Sequence, residues 1–316
     1  MNIVVADGYT LNAGDLSWEK IAQLGTLTIY DRTPAHLVEE RCKEADIVLT
    51  NKVPFCSDTL LQLPKLKCIC VLATGFNIID TVCARERGIV VCNVPAYGTA
   101  SVSQHVFALL LELTNHVCLN STSTRQGKWQ QSADWCYTEK RVIELSGKTF
   151  GIVGFGNIGA QTAQIAHAFG MKIIYYNPTQ KESDIAEAGS LLSVFKQSDV
   201  VSLHCPMRPD NVEFVNKELL QVMKPTSFLI NTARGQLIQE EDLAIALNHE
   251  VIAGAALDVL SAEPPADNNP LLSAKNCIIT PHTAWMSREA RQRIMDITKA
   301  NVEAFINGNP VNVVSR

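Results

Sequence analysis

The stretch that decides the fold of this chain is Thr149-Phe150-Gly151-Ile152-Val153-Gly154-Phe155-Gly156-Asn157-Ile158-Gly159. It contains GxGxxG, preceded by a β-rich apolar run and followed by an apolar stripe at helical spacing. In that setting Gly154 permits a tight turn, Gly156 lets the backbone approach a pyrophosphate, and Gly159 permits close packing of helix on strand. The helix N-terminus offers free N–H groups to phosphates. The stretch therefore predicts a dinucleotide-binding unit, with a plain glycine turn as the alternative.

The next strand ends at Asn177, where a dinucleotide fingerprint has an acidic residue that binds the ribose 2′-hydroxyl. Asparagine can hydrogen-bond a hydroxyl group, but unlike aspartate it does not repel a 2′-phosphate. Lys181 lies close in sequence and could attract such a phosphate. The sequence therefore favours NAD and leaves NADP open.

Composition sets limits on the protein class. The chain has 316 residues, which suggests two domains, and 47% of them are hydrophobic, which excludes disorder as the dominant state. Its net charge is −5 and it has no long basic run, so we expect no nucleic-acid partner and no membrane partner. The apolar run at the N-terminus is too short for a signal peptide, which predicts a cytoplasmic protein.

The ten cysteines do not suggest a metal site or a disulfide framework. The sequence has no CxxC pair, and most cysteines lie in apolar runs such as residues 68–73, where a free thiol packs as a small hydrophobe. We therefore expect no metal and a reducing compartment.

Strand-like runs alternate with helix-like stretches in two separate series. The first series lies before residue 98 or so, and the second begins near Lys148. Such alternation is typical of parallel sheets covered on both faces by helices. The predicted strands are Ile3–Ala6, Leu27–Tyr30, Ile47–Thr50, Cys68–Leu72, Ile89–Cys92, Phe150–Val153, Lys172–Tyr176, Val200–Leu203, Phe228–Asn231, Ile252–Ala255 and Cys277–Thr280.

Two further segments have helical periodicity. One runs from about Ala100 to Gly127 and leads into a loop that carries Trp129 and Trp135. Because this region has excess apolar residues outside either sheet, it is a candidate dimer interface, with packing on its own domain as the alternative. The other is a long helix over residues 287–307, ended by Gly308-Asn309-Pro310.

Three segments that follow predicted strands carry an arginine, two carboxylates and a histidine. Arg234 ends a buried apolar strand, which favours an anionic partner such as a substrate carboxylate. Asp258 and Glu263 follow the next strand, and His282 follows the last. Each alone has an ordinary structural explanation. Together, after a dinucleotide turn, they fit hydride transfer to a keto acid, with His282 protonating the ketone oxygen and Glu263 stabilising the imidazolium.

These segments resemble the D-2-hydroxyacid dehydrogenase family over essentially the whole chain. The resemblance implies an α/β fold of two doubly wound parallel-sheet domains, in which a Rossmann dinucleotide-binding domain (residues 99–286) is inserted into a flavodoxin-like substrate domain (residues 1–98 plus 287–316) and the active site lies in the cleft between them. It implies Arg234, Glu263 and His282 as catalytic residues and a homodimer. The substrate-binding residues it implies are Thr74, Gly75, Arg234 and His282. The implied cofactor-binding residues are Gly154, Gly156, Asn157, Ile158, Gly159, Asn177, Cys205, Pro206, Thr232 and Asp258.

Within the family, several stretches are similar to the subgroup of glycerate dehydrogenases, which reduce hydroxypyruvate. They include residues 93–99, 101–105, 134–137 and 281–285. The loop at residues 73–77 contains no lysine or arginine for a phosphate, so the expected substrate is a small unphosphorylated 2-keto acid, with hydroxypyruvate or glyoxylate favoured. D-lactate or formate dehydrogenase activity, and a corepressor-like nucleotide sensor on the same fold, remain alternatives.

Overall fold

A computed structural model describes residues 1–315 of the chain, so Arg316, the last residue of the predicted 287–316 segment, lies outside it. The backbone divides into two compact units. The first unit consists of Met1–Tyr97 and the segment from Met286 onward, and the second unit is Gly98–Trp285. Within residues 1–315 no helix is long and apolar enough to cross a membrane.

The strands are short, mostly of three to five residues, as expected for parallel sheets. They are β1 (Asn2–Val5), β2 (Thr26–Ile29), β3 (Ile47–Thr50), β4 (Cys68–Val71), β5 (Val90–Cys92), β6 (Thr149–Val153), β7 (Lys172–Tyr176), β8 (Ala186–Ala188), β9 (Val200–Leu203), β10 (Phe228–Asn231), β11 (Gly254–Leu257) and β12 (Cys277–Ile279).

Helices occupy most of the crossovers between strands. They are α1 (Glu19–Ala22), α2 (Val38–Cys42), α3 (Ser57–Leu61), α4 (Thr81–Glu86), α5 (Thr99–Asn115), α6 (Val117–Arg125), α7 (Asn157–Ala168), α8 (Leu191–Gln197), α9 (Lys217–Gln221), α10 (Glu240–Asn248) and α11 (Arg288–Ile306). Short 3-10 turns lie at Gly8–Thr10, Ala35–Leu37, Gly235–Leu237 and Pro270–Ser273.

The first unit is a five-stranded parallel sheet in the order β2-β1-β3-β4-β5, which is the flavodoxin-like order. Strands β3 and β4 are buried at every position because helices cover both faces, which explains their continuous apolar runs. The helix α11 belongs to this unit although it lies at the other end of the sequence. Its N-terminus is capped by Ser287, whose hydroxyl accepts from the Ala290 N–H.

The second unit is a seven-stranded sheet in the order β12-β11-β10-β9-β6-β7-β8, and every pairing is parallel. The order reverses beside β6, as in a Rossmann fold. One face packs α5 and α7 over side chains such as Phe150 and Tyr175, and the other packs α8 and α10 over Leu229 and others. The predicted α/β class with two doubly wound parallel sheets is confirmed.

Three local expectations need correction. The single predicted helix over residues 100–127 is two helices, because His116 adopts a left-handed backbone (φ 52°) that ends α5 and begins α6. The edge strand β8 was not predicted, since its sequence Ala-Glu-Ala has no β-branched residue. Strand β11 begins at Gly254 rather than Ile252. All four residues of this strand are buried, and the small side chains of Gly254, Ala255 and Ala256 fit that environment.

Burial of His204 predicts an acid-sensitive fold. Burial lowers the pKa of His204, which follows β9, from its ordinary 6.5 to about 4. Between those pH values the unfolded chain binds a proton that the folded chain does not, so the contribution of His204 to stability is complete above pH 6.5 and is lost as the pH falls towards 4. We expect His204→Gln to flatten the dependence of the unfolding free energy on pH in this window, by up to about 1.4 kcal/mol per pH unit. Urea unfolding at several pH values measures it.

The exposed His249 provides the control. His249→Gln should leave the pH dependence as it is in the unmodified chain. An unchanged slope in His204→Gln would contradict the prediction.

Candidate active site

The predicted site residues of the second unit lie at one edge of its sheet. Each follows the carboxyl end of a parallel strand, where open α/β sheets place their ligands. The glycine turn follows β6, Asn177 follows β7, Cys205 and Pro206 follow β9, Thr232 and Arg234 follow β10, Asp258 follows β11, and His282 follows β12.

The three glycines of the turn occupy different surroundings. Gly154 has a left-handed backbone (φ +99°), and a Cβ there would lie 2.5 Å from the Cys205 nitrogen. A Cβ on Gly159 would overlap the Gly154 carbonyl oxygen, so this glycine lets α7 pack against the turn. At Gly156, by contrast, a Cβ would meet no heavy atom within 4 Å. Gly156 therefore borders open space, as a position beside a bound pyrophosphate requires.

Three polar groups without a partner among the described residues fit the same ligand. Asn157 and Ile158 begin α7, and the N-cap Gly156 has no side chain to satisfy their N–H groups. The hydroxyl of Thr232 is buried and has no hydrogen-bond partner within residues 1–315. Donors left open at a helix N-terminus and at the end of a strand on the same sheet edge suit an anionic dinucleotide. The residues present therefore fit the cofactor that the sequence predicts.

The side chain of Asn177 is engaged locally. Its Oδ1 accepts from the Phe155 N–H at 3.1 Å, and its Nδ2 donates to the Thr179 carbonyl at 2.7 Å. The amide therefore ties the glycine turn to the end of β7. This position presents no negative charge that would repel a 2′-phosphate.

Cys205 is a packing residue in this structure. Burial raises the pKa of its thiol to about 11, so the thiol is protonated at neutral pH and is a poor nucleophile. Its neighbour His204 forms a hydrogen bond with the Ser202 hydroxyl, in which His204 Nε2 lies 2.9 Å from Ser202 Oγ.

Arg234 is half-buried and has no acidic partner. Its backbone carbonyl accepts from the Asn231 side chain at 2.8 Å, and its Nη1 donates to the Ala233 carbonyl at 2.6 Å. Within residues 1–315 no carboxylate lies within 4.0 Å of its guanidinium. Since a half-buried cation favours an anion, the fork is available to bind a carboxylate.

His282 and Glu263 form a close pair. The distance from His282 Nδ1 to Glu263 Oε2 is 2.6 Å, and both side chains are partly exposed. A carboxylate at Nδ1 selects the tautomer in which Nδ1 carries a proton, and it stabilises the doubly protonated ring. Nε2 is then the nitrogen that can exchange a proton with a ligand.

The side chain of Asp258 holds residues on both sides of His282. Its Oδ1 accepts from the Thr280 hydroxyl at 2.6 Å and from the Thr283 N–H at 2.8 Å, and its Oδ2 accepts from the Ala284 N–H at 2.8 Å. Burial by itself raises the pKa of Asp258, but these hydrogen bonds and one from His105 outweigh it, so the pKa lies below its ordinary value. Asp258 is therefore a carboxylate at neutral pH.

Sequence reasoning did not identify His105 and Thr280 as site residues. His105 Nε2 lies 3.1 Å from the Thr280 hydroxyl and 3.4 Å from Asp258 Oδ1. A histidine on the apolar helix α5 has the signature of an ordinary core residue. The position of Thr280, two residues before His282, was the only signal that the sequence offered.

The loop after β4 in the first unit contains Thr74 and Gly75. The Thr74 hydroxyl donates to the Val94 carbonyl at 2.7 Å, and the Asn93 side chain donates to the Thr74 carbonyl at 2.8 Å. The backbone N–H groups of Thr74 and Gly75 donate to no group within residues 1–315. Two such adjacent donors can bind an anion.

No group of three or more His, Cys, Asp or Glu side chains within the described residues could hold a metal ion.

Comparison with known proteins identifies relatives along the whole chain. Residues 107–284 match the family model described as "D-isomer specific 2-hydroxyacid dehydrogenase, NAD binding domain". The chain is 46% identical over 322 residues to the hydroxypyruvate reductase of Blautia hydrogenotrophica, with 100% of both chains covered. It is 41% identical over 284 residues to the glycerate dehydrogenase of Methylorubrum extorquens, with 89% of both covered. Among solved structures, an acyclic imino acid reductase in complex with NADPH and D-Arg has a TM-score of 0.88 and 30% identity, and the match covers 99% of this chain and 100% of that one.

The open space at Gly156 gives a test of the cofactor site. Because a Cβ there meets nothing in the protein, we expect Gly156→Ala to keep the melting temperature and to raise the dissociation constant of NADH about tenfold or more, since the methyl group enters the space of the pyrophosphate. Thermal unfolding and quenching of protein fluorescence by NADH measure the two quantities.

Gly159→Ala is the matched comparison. A Cβ at position 159 would overlap backbone atoms, so we expect Gly159→Ala to lower the unfolding free energy by about 1–3 kcal/mol. Its melting temperature should fall accordingly. Unchanged NADH affinity in Gly156→Ala would contradict a phosphate at this turn.

Proposed function

We propose that this chain, which belongs to the D-isomer-specific 2-hydroxyacid dehydrogenase family, reduces hydroxypyruvate or glyoxylate to the corresponding 2-hydroxy acid with NADH or NADPH. The product is the D isomer where it is chiral. The enzyme is an oxidoreductase that acts on the CH–OH group of its donor. The relatives named hydroxypyruvate reductase and glycerate dehydrogenase support this choice of substrate.

The observation that carries the proposal is the His282–Glu263 pair at 2.6 Å, at the same sheet edge as Arg234, which has no carboxylate partner within residues 1–315. A proton donor and a cation are the two groups that reduction of a keto acid requires besides a hydride. The glycine turn that follows β6 at this edge accounts for the hydride source.

A reduced nicotinamide cofactor, held at the glycine turn by Gly154, Gly156 and Gly159, would supply the hydride that the carbonyl carbon of the substrate accepts. His282 Nε2 donates a proton to the carbonyl oxygen as negative charge develops on it. Glu263, which holds Nδ1, keeps the imidazole oriented and stabilises its cationic form before transfer. Asp258 fixes the backbone that carries His282, which adds a positioning role to the nicotinamide contact that the family resemblance implies.

Each unit offers its own carboxylate-binding group in this proposal: Arg234 in the second unit, and the backbone N–H groups of Thr74 and Gly75 in the first. The guanidinium provides two parallel donors, which match a carboxylate. The remaining cofactor contacts are those of Gly154, Gly156, Asn157, Ile158, Gly159, Asn177, Cys205, Pro206 and Thr232.

A homodimer in the cytoplasm without a nucleic-acid partner completes the proposal. The Trp135 side chain is 86% exposed, and Val117, Leu119 and Trp129 nearby are exposed as well. Exposed apolar groups on consecutive segments are typical of an interface. The ten cysteines are all free thiols, which fits a reducing compartment. Light scattering of the purified chain tests the dimer.

Steady-state kinetics with a panel of acids tests the reaction itself. We expect oxidation of NADH or NADPH, followed by the nicotinamide absorbance, with hydroxypyruvate and glyoxylate, at a kcat/KM above that for pyruvate. The absence of an acid at Asn177 predicts that NADPH is accepted alongside NADH. Preferred turnover of pyruvate, or of formate with NAD, would favour the lactate or formate alternative. Tight cofactor binding without turnover of any small keto acid would favour a nucleotide sensor.

Substitution of His282 tests the proton donor. His282→Ala should lower kcat about 10²–10⁴-fold, because it removes the general acid and leaves the carboxylate site in place. Initial rates at saturating keto acid and cofactor measure kcat.

Arg234→Ala is the contrasting variant. Loss of the guanidinium should raise KM for the keto acid, because the cation binds the carboxylate in the ground state, and should also lower kcat, because the carbonyl is then less well oriented for the reaction. A His282→Ala enzyme with unchanged kcat would remove the role assigned to His282.

A further inference from the structure

A buried asparagine on the last helix is connected to the loop that contains Thr74 and Gly75. We infer that Asn301 of α11 is a positioning residue for the substrate carboxylate, acting through Asn93 on the Thr74–Gly75 peptide. The inference rests on the proposed function, because it assumes that this loop binds the carboxylate. All the residues involved belong to the first unit.

Asn301 is completely buried, and both ends of its amide are hydrogen-bonded. Its Nδ2 donates to the Asn93 carbonyl at 2.9 Å, and its Oδ1 accepts from the Asn312 side chain at 2.8 Å. The Asn93 N–H in turn donates to the Asn312 carbonyl at 3.1 Å. The backbone of Asn93 is thus held on both sides by groups from the C-terminal segment.

Asn93 transmits this constraint to the loop. Its Nδ2 donates to the Thr74 carbonyl at 2.8 Å, and the Thr74 hydroxyl reaches across to the Val94 carbonyl at 2.7 Å. The next link is the Val94 N–H, which donates to the Ala73 carbonyl at 3.0 Å. The loop after β4 is therefore tied to the residues that follow β5, and these are tied to α11.

Planarity of the peptide bond gives this chain of contacts a chemical effect. The Thr74 carbonyl and the Gly75 N–H belong to one trans peptide, so they point in opposite directions. When the Asn93 amide fixes the carbonyl, it also fixes the direction of the Gly75 N–H. That N–H has no partner within the described residues and is one of the proposed carboxylate donors.

Burial explains why an amide is used at this position. A buried polar group without a partner is unfavourable, so each asparagine favours the one arrangement in which all its groups are paired. An apolar residue at position 301 would leave the Asn93 carbonyl unpartnered and would remove one of the two contacts that hold the Asn93 backbone to the C-terminal segment. The orientation of the loop peptide would then be less well defined.

Asn301→Ala tests the inference. We expect KM for the keto acid to rise about tenfold, with kcat changed less than about threefold and KM for NADH unchanged, because binding of a non-reacting carboxylate contributes equally to ground and transition states. A purely structural defect would do the opposite: it would lower the active fraction and hence kcat, and leave KM as it was. Steady-state kinetics on the full chain gives all three constants.

Thr298 supplies the matched control. It lies on the same helix, is completely buried, and its hydroxyl has no partner within residues 1–315. Thr298→Val keeps the shape of the side chain and should leave both KM values and kcat unchanged.

A milder variant serves if Asn301→Ala does not fold. Asn312→Gly suits the left-handed backbone at this residue (φ 53°) and retains the carbonyl that accepts from Asn93, but it removes the amide that holds Asn301. We expect KM for the keto acid to rise about threefold.

The outcomes separate the two proposals. If the unmodified enzyme is active and KM for the keto acid is unchanged in Asn301→Ala, the role of Asn301 alone is overturned. Where that variant does not fold, an unchanged KM for the keto acid in Asn312→Gly has the same meaning. An unmodified chain that reduces no small keto acid would overturn the proposed function and this inference with it.

Discussion

The hydrogen bonds of the Asp258 carboxylate hold the turn that carries His282, and the candidate active site of the second unit depends on them. His282 has a left-handed backbone (φ 55°), a conformation that is unfavourable for a histidine by about 1–3 kcal/mol. It persists because the Asp258 carbonyl accepts the His282 N–H while the side chain holds Thr280, Thr283 and Ala284. Since an ionised group makes stronger hydrogen bonds than a neutral one, the Asp258 carboxylate holds the turn that carries His282 firmly.

The fold could be predicted from the sequence to a large extent, because it follows from local patterns. Apolar runs bounded by helical stretches identified most strands, and GxGxxG identified the turn from β6 into α7 in the larger sheet. The predictions of secondary structure that were wrong depended on single residues or on tertiary contacts. The left-handed backbone at His116 could not be predicted, because the residue is not a glycine. Strand β8 is a strand only because it pairs with β7.

The site was less predictable than the fold, because sequence position indicates which sheet edge a residue reaches but not its partners. The pairing of His282 with Glu263 had been expected from residue types, and the structure places them at 2.6 Å. The contacts of Asn177 with the glycine turn, and of His105 with Thr280, join residues far apart along the chain. No rule of sequence spacing predicts such pairs. The hydrogen bonds that connect Asn301 of α11 through Asn93 to Thr74 are of the same kind.

The discontinuity of the first unit has a consequence for how the chain is made. Strand β5 pairs with Val313 through an antiparallel bridge, and the Val314 N–H donates to the Val91 carbonyl. The ribosome makes these residues only after the whole contiguous second unit has been synthesised. The second unit can therefore fold during translation, while the first unit must wait with its β5 edge and its α11 contact surface uncovered. This interval is when the nascent protein is most exposed to aggregation and to chaperones.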